Sequence, residues 1–380
     1  MSASPAVSTP TFVRLGRGDP APWFVSRALG QPRYVFDTVG GRYVLLGFLG
    51  SAGRPEARMA LDAIAAHRTL FDDDKLAFFG VTIDPADEAE NRIAEQVPGI
   101  RFFLDFDRAV SRLYGSLPRE DEPGAAGVTI RRFWMLLDPT MRIQATFPMT
   151  SDGSELPGLF AYLDNLPPVP RFAGPELQAP ILYLPNVFEP ELCRRLVDLY
   201  DSEGGVRSGF MRDIGGRTVA VHDTGHKSRS DHDIQDEELK RLLGARITRR
   251  VVPEIRKVHQ FVVTRMERYL VACYSAEDGG HFRAHRDNTT KATAHRRFAV
   301  SINLNDAFEG GEVSFPEYGP RSFKPPPGGA VVFSCSLLHA VSRVTSGCRY
   351  AFLPFLYDDA AAKIRDETRH LIDSGAPAGP

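Results

Sequence analysis

Four side chains late in this 380-residue sequence have the types and spacing to do chemistry. His285 and Asp287 end the run Gly279-Gly280-His281-Phe282-Arg283-Ala284-His285-Arg286-Asp287; His339 follows much later, and Arg349 lies ten residues past it. An extended strand turns successive side chains to opposite faces, so His285 and Asp287 share one face and can bind one ion together. With His339 as third ligand, two imidazoles and one carboxylate occupy one side of a ferrous ion and leave the opposite positions open for a cosubstrate and O2. Arg349, a fixed cation, suits the far carboxylate of a bidentate keto acid.

Those residues need a rigid frame. From Tyr269 onward the sequence breaks into short strands between Gly/Pro turns, the pattern of an all-β sandwich or barrel. Eight strands are expected: 269–274, 281–285, 297–304, 311–315, 322–324, 330–334, 340–344 and 350–357, enough for a jelly roll. Ahead of them, 189–202 reads as an amphipathic helix with Leu192, Leu196 and Leu199 on one stripe, and 236–268 as helix interrupted at Pro253. The polar, glycine-rich stretch 204–233 reads as a loop or substrate-covering lid.

Residues 11–166 alternate apolar strands with helical stretches, as in an α/β sandwich. Strands are expected at 42–49, 76–83 and 101–104, with a hairpin of 132–137 and 143–147 about Asp138-Pro139-Thr140, and helices at 56–71, 87–96 and 154–163. The proline-rich segment 169–180 marks a stiff connection, so the expected domains are 1–168, a linker 169–180, and 181–380.

Composition narrows the partners. Net charge is −2, with acids and bases interspersed, so neither a nucleic acid nor a lipid surface is called for. No apolar run is long enough to span a bilayer, and residues 1–10 lack the pattern of a secretory leader. Four cysteines, Cys193, Cys273, Cys335 and Cys348, lack CxxC spacing and disulfide density. A cytoplasmic, reducing location is expected, and it keeps iron ferrous.

The segments Cys273–Asn288, Ser301–Asn305 with Glu309-Gly310-Gly311-Glu312, and Pro327–Phe333, followed by His339 and Arg349, resemble the prolyl-4-hydroxylase branch of the 2-oxoglutarate/Fe(II) dioxygenases. The resemblance covers residues 182–357 and implies an α+β double-stranded β-helix, or jelly roll. Carried over position by position, it implies that His285, Asp287 and His339 hold Fe(II) and that Arg349 anchors the side-chain carboxylate of 2-oxoglutarate. Tyr274 and Asn303 would touch the cosubstrate. The implied reaction hydroxylates an unactivated C–H bond of an amino acid, peptidyl residue or related small molecule, consuming O2 and releasing succinate and CO2, with ascorbate as a candidate reductant. The retained Asp287 argues against halogenation.

Other residues compete for these roles. His281 lies four before His285, but the double glycine argues against the helix that would bring them together, so His281 is read as a rim residue. Arg343 is read as solvent-facing or salt-bridged. His222, His226 and His232 match no metal spacing and are read as solvated, with Lys227 and Arg229 as candidate readers of an anionic substrate. Cys335 and Cys348 are read as small buried hydrophobes.

Gly18–Phe24, the strand ending at Leu49, and Arg132–Pro139 resemble the thioredoxin-like fold of peroxiredoxins. That chemistry needs a low-pKa cysteine at a helix start, where this chain has Gly50-Ser51-Ala52-Gly53-Arg54-Pro55, and no cysteine precedes Cys193. The expected role is a non-catalytic module that docks a protein partner or presents substrate, with Arg132 supporting the fold. The alternative reading of the whole chain is a redox-fold scaffold or binding protein whose oxygenase barrel has lost turnover.

Overall fold

The computed structural model describes residues 11–120 and 129–373; residues 1–10, read above as lacking a leader, and the end of the tail lie outside them. The chain divides into two compact units, Met1–Gln178 with Pro316–Gly319, and Ala179–Phe315 with Pro320–Pro380.

Sequence alternation builds the first unit. Tyr43–Gly50 is buried along its whole length, with Tyr43, Leu45 and Leu49 packed in one apolar cluster and Val44, Leu46 and Phe48 in another, so both sheet faces are covered. It pairs in parallel with Leu76–Thr82, which pairs in parallel with Ile100–Leu104. The hairpin Phe133–Leu137/Ile143–Pro148 extends one side. A second hairpin, Val25–Ala28/Gln31–Val35, completes seven strands on the other; sequence periodicity did not show it. Helices Pro55–Ala66 and Leu156–Asp164 contribute Ala57, Ala60, Ile64, Leu159 and Leu163 to the first cluster, giving the α/β thioredoxin-like sandwich.

The helix expected over 87–96 is confined to Ala86–Ala89. Asn91 adopts a left-handed conformation (φ 51°), which ends a helix. The short helix Ala109–Tyr114 was not anticipated.

The second unit is a double-stranded β-helix made of two antiparallel sheets. The smaller runs Lys227–Ser228, His281–His285, His339–Val341, Val313–Ser314, Ser322–Phe323. The larger includes Leu270–Ser275, Ser346–Phe352, Phe298–Asn303 and Ala330–Ser334. Helices Pro190–Glu203, Glu237–Arg250 and Val252–His259 cover it, with Leu192, Leu196, Leu239, Leu243, Ile247 and Ile255 packed against Val271, Val300, Ile302 and Phe352. Asp236 caps the second of these helices, its carboxylate accepting from the Glu238 and Leu239 amides at 2.9 and 3.3 Å. Pro253 stands in the first turn of the third, where its missing N–H costs no hydrogen bond.

Two expectations change here. The strand expected over 350–357 is two, Ser346–Phe352 and Phe355–Tyr357, interrupted at Pro354, which has no ladder donor. The stretch 204–233 is not a solvated loop: it holds the hairpin Phe210–Ile214/Arg217–Val221, turned by Gly215 and Gly216 at positive φ, and Ser230–Asp233 paired to Leu270–Ser275. A further helix, Asp359–Thr368, leads to the last described strand, Ile372–Asp373, which pairs in parallel with Arg217–Val221, and no described helix is long and apolar enough to cross a membrane.

Candidate metal centre

Local backbone geometry aims the histidines. Gly279 takes φ 61°, and a Cβ on Gly280 would lie 2.7 Å from the Tyr274 carbonyl carbon, so only glycine lets His281–His285 return this close to Leu270–Ser275. His281–His285 pairs with His339–Val341 irregularly: Phe282 faces Val341 while His285 faces His339, three residues against two. This bulge overrides the period of two. His285 shares a face with Phe282, whose ring stacks on it at 3.5 Å. His281 is instead held by the carbonyls of Gly279 (2.7 Å) and Gly225 (3.3 Å). With Arg283 and the exposed Arg343 it lines a recess of about 330 Å3. Asp287 lies in the turn beyond the strand, its amide donating to the Cys335 carbonyl at 2.9 Å.

Three potential ligand atoms converge. His285 Nε2 lies 3.5 Å and His339 Nε2 3.3 Å from the Asp287 carboxylate oxygens, and the two imidazole centroids are 4.2 Å apart. Among the described residues this is the one group of three or more such side chains, its ligand atoms all within 4.8 Å. The other nitrogens are committed: His285 Nδ1 sits 2.8 Å from the Arg283 carbonyl and His339 Nδ1 3.0 Å from that of Leu337. A carbonyl only accepts, so both Nδ1 atoms carry protons and both Nε2 lone pairs are free to ligate. Burial, reinforced by the neighbouring His339, lowers His285 to about 4, keeping the imidazole neutral as a ligand must be. Burial would raise Asp287, but the imidazoles of His339 and His285 outweigh it and hold the carboxylate well below its ordinary range. Two imidazoles and one carboxylate form a donor set that fits Fe(II).

Arg349 is 1% exposed and faces Tyr274 in register across neighbouring strands. Its Nε donates to Asn303 Oδ1 (2.9 Å) and its Nη2 to Ser301 Oγ (2.8 Å), while Nη1 is buried without a partner. A buried, unsatisfied guanidinium N–H is costly unless an acceptor arrives, and a carboxylate fits. Asn303 is spent at both ends, since its Nδ2 donates to the Pro325 carbonyl at 2.8 Å; its side chain orients Arg349. Ser301, the second tether, was not singled out in the sequence because a strand serine carries no distinguishing signal.

The remaining histidines do not converge. His222 is exposed, His226 packs at a tilt against Phe210 with centroids 4.4 Å apart, and His232 Nδ1 lies 2.8 Å from the Gly204 carbonyl. Lys227 and Arg229, each 6% exposed, are buried rather than solvated. All four cysteines are free; Cys335 is buried and Cys348 only partly so.

In the first unit, the cysteine-free stretch that leads into the helix Pro55–Ala66 contains Ser51. Its hydroxyl donates to Asp84 Oδ2 at 2.7 Å, and the neighbouring Ala52 amide donates to the buried Asp87 Oδ2 at 2.7 Å. Arg132 Nε donates to the Leu49 carbonyl and Nη1 lies 3.3 Å from Glu56, a fold-supporting role.

A family model described as the 2OG-Fe(II) oxygenase superfamily matches residues 269–357. A PKHD-type hydroxylase of Gluconobacter oxydans (strain 621H) is 28% identical over 212 residues, covering 50% of this chain and 82% of the relative. Among solved structures, a Pseudomonas putida prolyl-4-hydroxylase is 18% identical with a TM-score of 0.38, covering 48% of this chain and 94% of its own. For the N-terminal part, Xanthomonas campestris peroxiredoxin Q is 19% identical with a TM-score of 0.32, covering 37% and 89%. Residues 269–357 of this chain thus match a 2OG-Fe(II) oxygenase domain, a family that implies Fe(II), 2-oxoglutarate and O2.

Proposed function

We propose that the protein is an Fe(II)/2-oxoglutarate-dependent hydroxylase, resembling prolyl hydroxylases, that acts on an amino acid, peptidyl residue or related small molecule. The observation that carries this reading is the convergence of His285, Asp287 and His339 with both Nδ1 atoms tied to carbonyls. Bound there, iron with 2-oxoglutarate and O2 would supply the oxidant for an unactivated C–H bond, with succinate and CO2 as coproducts.

The chain's own residues do the positioning. His285, Asp287 and His339 hold the metal from one side. Arg349 offers Nη1 to the distal carboxylate of 2-oxoglutarate; Asn303 and Ser301 fix the guanidinium plane, so the ligand does not have to order it. Tyr274 walls the pocket beside it. Phe282, stacked on His285, keeps water from one flank of the ligand set. Ascorbate would serve as reductant between turnovers, and the four free thiols suit a reducing cytoplasm.

The first unit, with its functional boundary in the proline-rich 169–180 connection, is assigned a docking or presenting role. The segment 50–55, where peroxidase chemistry needs a thiolate, holds no cysteine. The experiment is anaerobic loading with Fe(II) and 2-oxoglutarate, then admission of O2 across a panel of peptides and amino acids. The expected result is succinate release coupled to one substrate class; no succinate under any condition would favour the scaffold reading.

A further inference from the structure

We propose that Lys227 and Arg229 form a second anion seat in the oxygenase unit, which reads a carboxylate on the substrate; this deepens the hydroxylase reading and rests on it. The two residues lie on one segment that leaves the smaller sheet at Lys227–Ser228 and enters the larger one at Ser230–Asp233. Both are 6% exposed, among the least exposed cations of the chain.

Among the described residues, no carboxylate forms an ion pair with Lys227. Its Nζ donates to two neutral acceptors, Ser208 Oγ at 2.7 Å and the Gly209 carbonyl at 2.6 Å, and an ammonium has a third donor to give. Arg229 reaches Asp231 Oδ2 through Nη2 (2.6 Å) and the Tyr274 hydroxyl through Nη1 (3.3 Å), but its Nε is buried with no partner. Asp231 is not Arg229's alone, because Arg268 takes the same oxygen at 3.1 Å. One carboxylate therefore serves two guanidinia beside an unpaired ammonium.

Place in the site separates this seat from the cosubstrate anchor. Lys227 Nζ stands 5.1 Å from the centroid of Phe282, the ring that stacks on His285. The Arg229 guanidinium lies 5.7 Å from the Tyr274 centroid and that of Arg349 5.3 Å from it, so Tyr274 borders both. A single distal carboxylate satisfies Arg349 and leaves the Lys227 charge and the Arg229 Nε donor uncompensated. Burying a cation without a counter-charge is expensive, and burial together with Arg229 pushes the Lys227 pKa well below its ordinary value. A substrate carboxylate delivered beside the metal supplies the missing charge and orients the rest of the molecule toward the ligand set.

The test needs no turnover. The full chain, loaded with Mn(II) and 2-oxoglutarate, is titrated with free L-amino acids, each against its carboxamide, and with a glutamate-rich peptide against its glutamine counterpart, reading affinity from melting temperature. At least one acid should bind roughly tenfold or more tightly than its amide, as a charge-assisted hydrogen bond predicts. Lys227→Met and Arg229→Gln should bring that ratio close to one, while Lys227→Arg retains most of it. Preference within the amino-acid pairs assigns a main-chain carboxylate, and preference in the peptide pair a side-chain one. No acid preference in any pair overturns the proposal. So does a preference that survives both neutral variants, or variants that weaken 2-oxoglutarate in the same proportion as the acid. Acid binding with no succinate from the iron-loaded protein would refute the hydroxylase reading and leave the anion seat standing.

Discussion

Tyr274 and Arg349 face each other in register on adjacent antiparallel strands, with the guanidinium carbon 5.3 Å from the ring centroid. A cation against an aromatic ring is held without a counter-ion, so Arg349 keeps its orientation while one nitrogen stays free. Arg349→Gln should therefore raise the KM for 2-oxoglutarate roughly 30- to 100-fold, the worth of a charge-assisted contact. An unaltered cosubstrate dependence would place the anchor elsewhere.

Asn303→Ala leaves that cation in place but removes one of its two tethers. The expected change is a smaller rise in the 2-oxoglutarate KM, roughly tenfold, with kcat largely kept. Equal losses in kcat and KM would mean that Asn303 touches the reacting atoms.

Replacing Asp287 with Ala removes the acceptor-only member of the ligand set and leaves two imidazoles. Iron should be lost on dialysis and 2-oxoglutarate decarboxylation with it. Metal analysis showing full occupancy in both this variant and His285→Ala would dissolve the proposed centre.

Acid stability has a separate source. Burial would raise Glu267, but the His295 hydrogen bond and the Arg296 charge outweigh it and bring the carboxyl from 4.5 down to about 2. A depressed folded pKa gives stability that is complete above pH 4.5 and disappears as pH falls toward 2, worth about 3 kcal/mol by linkage. Glu267→Gln should flatten this part of the denaturation profile. The same pH dependence in the variant would assign the acid limb to other carboxylates.

In the first unit, Asp87→Ala should destabilise by about 1–3 kcal/mol, because the Ala52 amide loses its buried acceptor. Peroxide consumption with a thiol reductant should be absent in the wild type. Turnover by the first unit would require a reactive group other than a thiol, since no cysteine precedes Cys193.

The sequence disclosed what depends on residue type and local period, and hid what depends on register. Continuous apolar runs placed Tyr43–Gly50 and Ala330–Ser334, and a glycine pair marked the turn before His281. Period two would have set His281 and His285 on one face; the bulge opposite His339 separates them, and no composition announces a bulge. Polar residues made 204–233 look solvated. The burial of Lys227 and Arg229 follows from strand pairing with His281–His285 and Leu270–Ser275, which single-chain patterns do not encode. Ser301 was invisible for a related reason: its importance comes from standing under Arg349.

That bulge also makes the centre a gauge of assembly. His285 and His339 meet because two strands remote in the chain align with one extra residue on one side, and a slip by a single position would turn an imidazole outward. A barrel zipped in the wrong register could bury nearly the same apolar surface, but it could not grip the metal. Iron content across a set of core variants would then count properly closed barrels, independently of any substrate.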